Sequence, residues 1–139
     1  MKNTKRWLAV IMLSLSIFGL ASCGGGENNN TNENLSVTYE QISAEKAKSL
    51  MDREKDYIII DARTEEEFAE GHIEGAILIP EYEIAERAQK ELPDKDALIL
   101  VYCRSGRRSK IASDELVKLG YTNVKEFGGI IDWPYETVK

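Results

Sequence analysis

From Val37 to Phe127 the chain alternates short strand-like runs with stretches of helical periodicity, and this alternation restricts its fold more than any other feature. Val37-Thr38-Tyr39 predicts a short strand, and Ser43 stands as N-cap to a helix with Ala44, Ala47, Leu50 and Met51 on one face. Tyr57-Ile58-Ile59-Ile60 is an unbroken apolar run, as a strand covered on both faces requires. Thr64 and Glu67 form a capping box for a brief helix that Gly71 ends. Ala76 to Ile79 predicts a strand stopped by Pro80, and a helix from about Glu81 to Leu92 closes before Pro93. The strongest strand is Leu98-Ile99-Leu100-Val101-Tyr102. It is followed by a helix with Ala112, Leu116 and Leu119 on one face and Gly120 as C-cap, then by a strand from Val124 to Phe127.

Strands separated by helices imply right-handed crossovers and a parallel sheet covered on both faces. The expectation is a three-layer α/β/α domain around a mainly parallel sheet of about five strands. At 139 residues the chain has room for one such core. Open sheets of this kind bind ligands beyond the carboxyl ends of their strands. Asp61, Pro80, Cys103 and Gly128 each fall just after a predicted strand, so one edge gathers all four.

The first 23 residues follow a different plan. Lys2, Lys5 and Arg6 precede a 14-residue apolar run, Trp7 to Leu20, and then Ala21-Ser22-Cys23. A basic region, a short apolar region and small residues are the layout of a secretory signal, and a bilayer-spanning helix needs about 20 apolar residues. Leu20-Ala21-Ser22-Cys23 resembles the bacterial lipobox, in which the cysteine takes a lipid on its sulfur. The expected organisation is a signal peptide over 1–22, a lipidated and flexible Gly/Asn-rich tether over 23–35, and one domain over 36–139. The body would then sit outside the cytoplasm, in the bacterial cell envelope on the periplasmic side, held to a membrane by the lipid on Cys23.

Residues 1–22 contain three of the 18 basic side chains and none of the 24 acidic ones, so the remainder carries a net charge of −9. Such a surface disfavours nucleic acid. Of the two cysteines, a lipidated Cys23 leaves Cys103 without a partner, which excludes a disulfide scaffold. One thiol and one histidine are a weak donor set for a metal, and no metal site is expected.

Chemistry concentrates in Cys103-Arg104-Ser105-Gly106-Arg107-Arg108-Ser109, between the strongest strand and a good helix. A free cysteine at a strand end is commonly a small buried hydrophobe. Here, successive loop amides and the positive end of the following helix form a cradle for an anion. Arg104, Arg107 and Arg108 add positive charge, so the Cys103 pKa should fall below that of an ordinary thiol and favour the nucleophilic thiolate.

This loop resembles the active-site loop of the rhodanese sulfurtransferases. Asp61-Ala62-Arg63, Glu67-Phe68, Gly71-His72-Ile73-Glu74-Gly75-Ala76 and Gly128-Gly129 with Trp133 match that family's pattern in order and spacing. The resemblance runs from about Ser36 to Trp133 and implies a rhodanese-like fold. Leu78 departs from it, standing where the family usually has asparagine. The resemblance also implies a ping-pong reaction. The Cys103 thiolate takes a sulfane sulfur from a donor anion such as thiosulfate, and the persulfide then passes it to cyanide or a thiol. No cofactor is required, and a monomer is expected. In the family, Asp61 and Arg63 line or support the site; read from the residues, a buried ion pair or hydrogen bonds bracing the loop explain them best. His72 reads as a structural hydrogen-bonding residue, Glu67 as part of the helix cap, and Trp133 as a core lid near the site.

Two other classes compete. Phosphatases and arsenate reductases with the same kind of cradle use Cys-x5-Arg to grip an oxyanion, whereas here that position is Ser109 and Arg108 comes one residue early. Rhodanese-like domains also serve as non-enzymatic binding or redox-sensing modules. Binding modules usually lack the cysteine that this chain has, and the chain supplies no resolving cysteine.

Overall fold

The computed structural model describes residues 37–139. The signal segment, Cys23 and the tether lie outside the described residues. The elements run β1 (Glu40–Gln41), α1 (Ala44–Arg53), β2 (Tyr57–Asp61), α2 (Glu65–Glu70), β3 (Ala76–Leu78), α3 (Ile84–Glu91), β4 (Leu98–Cys103), α4 (Arg107–Lys118) and β5 (Val124–Gly129). All five strands are parallel, in the order β1-β5-β4-β2-β3.

Side-chain alternation in the two central strands builds two cores. Ile60 and Ala62, with Ile99, Val101 and Cys103, face α3 and α4, where Ile84, Ala88, Ala112 and Leu116 cover them. Ile59, Leu100 and Tyr102 face the opposite way, toward Ala47 and Leu50 of α1. Because successive strand residues point to opposite faces, neighbours such as Tyr102 and Cys103 serve different layers. The result is the three-layer α/β/α arrangement expected from the alternation.

The caps follow the sequence. Ser43 Oγ accepts from the Lys46 amide, and Thr64 and Glu67 form a complete capping box. Helix α4 ends in a Schellman turn: Gly120 N–H donates to Val117 O and Tyr121 N–H to Leu116 O, with Gly120 one residue beyond the C-cap Leu119.

Three boundaries differ from expectation. The first strand is Glu40–Gln41, not Val37–Tyr39. It is an edge strand held by its ladder to β5 and by the Glu40–Lys125 ion pair, so apolar content does not fix its position. The segment after Pro80 opens with a 3-10 turn over Glu81–Glu83, because the Glu83 amide donates to Pro80 O and the Glu81 amide reaches across to Ala62 O. Finally, Asp61 and Cys103 are the last residues of β2 and β4, and Gly128 lies within β5. The four residues do gather at one sheet edge, but three of them belong to the ladders and are correspondingly rigid.

Candidate active site

Strand β4 carries Cys103 to the carboxyl edge of the sheet, where the thiol exposes 1% of its surface. The chain then turns through Arg104, Ser105 and Gly106 into α4. Gly106 adopts φ 99°, a left-handed conformation that side-chain-bearing residues rarely take. That turn aims the Gly106 N–H at Cys103 Sγ, 3.0 Å away. No side chain caps the amino end of α4, so its first amides are left to the sulfur. Burial pushes the thiol up. Hydrogen bonds from the Ser109 hydroxyl and from the amides of Ser109, Gly106 and Ser105 outweigh it and hold Cys103 below the ordinary thiol range.

The loop is pressed against β5. Cys103 pairs with Gly129 across a bulge, where Phe127 and Gly128 oppose Tyr102 alone. A Cβ on Gly129 would stand 2.1 Å from Arg104 O and 2.5 Å from Ser105 Cα. The absent side chain at Gly129 therefore lets the loop close over the sulfur.

Beneath the loop lies a second polar layer. Ser109, fully buried at the first turn of α4, places Oγ 3.4 Å from Cys103 Sγ and 2.6 Å from Glu126 Oε1. Glu126 is itself buried on β5, and the same oxygen accepts the Gly128 amide at 2.8 Å. The residue-by-residue reading missed Glu126. Its signal was the alternation of β5, which puts Glu126 on the same inward face as Val124.

The three arginines do not act alike. Arg104 and Arg107 are exposed. Arg108 is held by Glu67 through two hydrogen bonds of 2.6 and 2.8 Å, so this pair joins α2 to α4. Glu67 thus does more than complete its cap. The hydrogen bonds from Arg108 hold its carboxyl down at about 2. With Arg108 engaged by Glu67 and Ser109 at the sixth position after the cysteine, no arginine of the loop stands where Cys-x5-Arg chemistry requires one.

Asp61 and Arg63 lie on the α1 side of the sheet, away from the sulfur. Arg63 Nε and Nη2 grip the Asp61 carboxylate at 2.7–3.0 Å, and Tyr102 Oη donates to Asp61 Oδ2 at 2.6 Å. Arg63 Nη2 also donates to Gly71 O, and the Ile73 amide donates to Tyr102 Oη. Burial, first, and the neighbouring Asp61 push the Tyr102 hydroxyl far up, so it stays a donor. This buried network fixes the residue immediately before Cys103; it supports the site and does not line it.

His72 stacks on Phe68 at 3.7 Å, with Nδ1 3.0 Å from Phe68 O, as its structural reading implied. Trp133 packs against Phe127 in the α1-side core, so it covers the layer behind the sulfur and is not a lid on it. Leu78 contributes its carbonyl to Arg87.

Comparison with known proteins decides the family. The model of the rhodanese-like domain matches residues 43–134. The chain belongs to the rhodanese-like domain family. This rhodanese-like chain is 41% identical over 80 residues to the thiosulfate sulfurtransferase PspE of Escherichia coli, covering 58% of the chain and 77% of that protein. It is 37% identical over 94 residues to a sulfurtransferase of Allochromatium vinosum, covering 67% and 86%. An adenylyltransferase and sulfurtransferase of Candida albicans is 34% identical over 100 residues, but only 23% of its length is spanned. Among solved structures, an E. coli rhodanese with anions is 40% identical, with a TM-score of 0.57 over 60% of this chain and 98% of that one. The rhodanese-like domain of Anabaena Alr3790 is 28% identical, with a TM-score of 0.67 over 73% and 80%.

Proposed function

We propose that this rhodanese-like protein is a sulfurtransferase that carries sulfane sulfur as a persulfide on Cys103. The observation that carries the reading is the Gly106 amide, 3.0 Å from a buried sulfur at the uncapped start of α4. An amide cradle stabilises a thiolate before reaction and a persulfide anion after it, with no metal or organic cofactor in either step. Relatives named as sulfurtransferases support the same class.

In the first half-reaction the Cys103 thiolate attacks the outer sulfur of a donor such as thiosulfate. A bond forms to Sγ, the bond to the sulfonate sulfur breaks, and sulfite leaves with its electron pair. In the second, a thiophilic acceptor, cyanide or a thiol, attacks the outer sulfur, and Cys103 departs again as thiolate. The exposed Arg104 and Arg107 would draw an anionic donor toward the loop. Loop residues Ser105, Gly106 and Ser109 hold the reacting sulfur, and Asp61 and Arg63 keep β4 in place behind it.

The test is thiocyanate formation from thiosulfate and cyanide. Wild type should show ping-pong kinetics, and Cys103→Ser should be inactive while folding normally. An inert wild type that hydrolyses an aryl phosphate instead would refute the assignment. The same reading places the domain outside the cytoplasm on a lipid at Cys23, supported by the sequence before it. Labelled palmitate should enter the full chain and be lost in Cys23→Ser; equal labelling of both would remove the anchor.

A further inference from the structure

A cavity of about 570 Å³ lies on the α1 side of the sheet, with Tyr57, Trp133 and Tyr135 among its walls. Cys103 belongs to the α4-side core and Trp133 packs on the opposite one, so sulfur transfer as described leaves this cavity unused. Its volume falls within the roughly 300–1,000 Å³ of small-molecule sites.

Two of its walls meet at an angle. The Trp133 and Tyr135 rings stand with centroids 4.9 Å apart and an interplanar angle of 68°. Phe127 packs on Trp133 at 5.6 Å and fixes the indole, while Tyr57 enters from the start of β2. The face of an aromatic ring carries negative potential and attracts a cation, most strongly when the ring is indole. The chain already sets a cation there: Lys48 Nζ lies 5.7 Å from the centre of the Tyr135 ring.

Charge points the same way. Lys48 is paired with Asp52, one helical turn further along α1. Glu74 and Glu136 also line the cavity, and among the described residues neither has an ion-pair partner. Three carboxylates to one ammonium favour a cationic ligand and repel an anion.

We propose that this cavity binds a small, free organic cation of the quaternary ammonium class, at a site separate from Cys103. A trimethylammonium head spreads its charge over methyl groups that can lie against aromatic faces. The ammonium of a lysine is compact and strongly hydrated, so Lys48 is the weaker occupant and gives way.

The test titrates the full chain with choline and, in parallel, with 3,3-dimethylbutan-1-ol, which keeps the shape but has carbon in place of the charged nitrogen. Choline should bind about tenfold more tightly or better. Equal affinity for the two, or no saturable binding of choline, would overturn the proposal. Tyr135 is 38% exposed, so it can be changed without opening the core. Tyr135→Leu should weaken choline about fivefold, whereas Tyr135→Phe, which keeps the ring, should stay within about twofold. Lys48→Met should tighten binding about threefold, because it removes a competing cation and leaves Asp52 unpaired. Affinities that change in neither Tyr135→Leu nor Lys48→Met would put choline elsewhere and defeat the proposal.

Two further arms fix the place and source of the ligand. Cys103→Ser should bind choline as the parent does; binding lost with that thiol would rule out a separate site. The same head group is also carried by phosphatidylcholine. A Cys23→Ser chain should not sediment with vesicles of that lipid, and sedimentation reversed by choline would overturn the assignment to a free solute.

Discussion

A cysteine as buried as Cys103 is ordinarily an inert small hydrophobe. Here the amides of Ser105, Gly106 and Ser109 and the Ser109 hydroxyl are turned to the sulfur, and these outweigh burial. The sequence read the loop as electropositive through its arginines, yet the hydrogen bonds that reach the sulfur come from the backbone and Ser109. Composition could not separate the two, because Arg108 is spent on Glu67, 41 residues away in sequence. That pair makes a prediction at this scale. The Glu67 carboxyl is held down at about 2, from 4.5, mainly by its hydrogen bonds to Arg108. A depressed acid contributes stability that is complete above the unfolded value and fades as pH falls through the folded one. The stability gap between wild type and Glu67→Gln, measured by urea unfolding, should be constant above pH 5 and shrink as pH falls from about 4.5 toward 2. A gap that widens on acidification would contradict the pairing.

Elements were the most legible level of this chain. Strand β2 announced itself as a continuous apolar run, α2 by its capping box, and α4 by its apolar stripe and Gly120. The edge strand β1 was misplaced because backbone pairing to β5, not side-chain burial, fixes it. Also illegible was how closely the loop of Cys103 would lie on β5, since the sequence displays only two adjacent glycines there. Gly129→Ala tests that contact. A Cβ there would strike the Arg104 carbonyl, which belongs to the backbone and cannot swing aside. Loop displacement of about 1 Å should cost roughly 100-fold in sulfur transfer. Thiocyanate formation within twofold of wild type would show that the loop does not depend on this approach.

Across the whole molecule, the sheet separates chemistry from support. The sulfur, Ser109 and Glu126 occupy the α4 side, and the Asp61–Arg63–Tyr102 network occupies the α1 side. The strand alternation that made the three layers readable also explains why Asp61 and Arg63, although motif residues, do not meet the thiol. Asp61→Asn leaves Arg63 buried without its counter-charge and should destabilise the domain by about 3–5 kcal/mol. Thermal unfolding should then show a midpoint lowered by about 10 °C or more. A shift below about 2 °C would mean that the network carries little of the stability assigned to it.

All of this turns on whether the cradle holds an extra sulfur. Intact mass spectrometry of the full chain after treatment with thiosulfate reads that directly. A gain of one sulfur atom is predicted, absent in Cys103→Ser and removed by cyanide. A wild-type mass left unchanged by thiosulfate would contradict the persulfide on Cys103 and, with it, the function proposed.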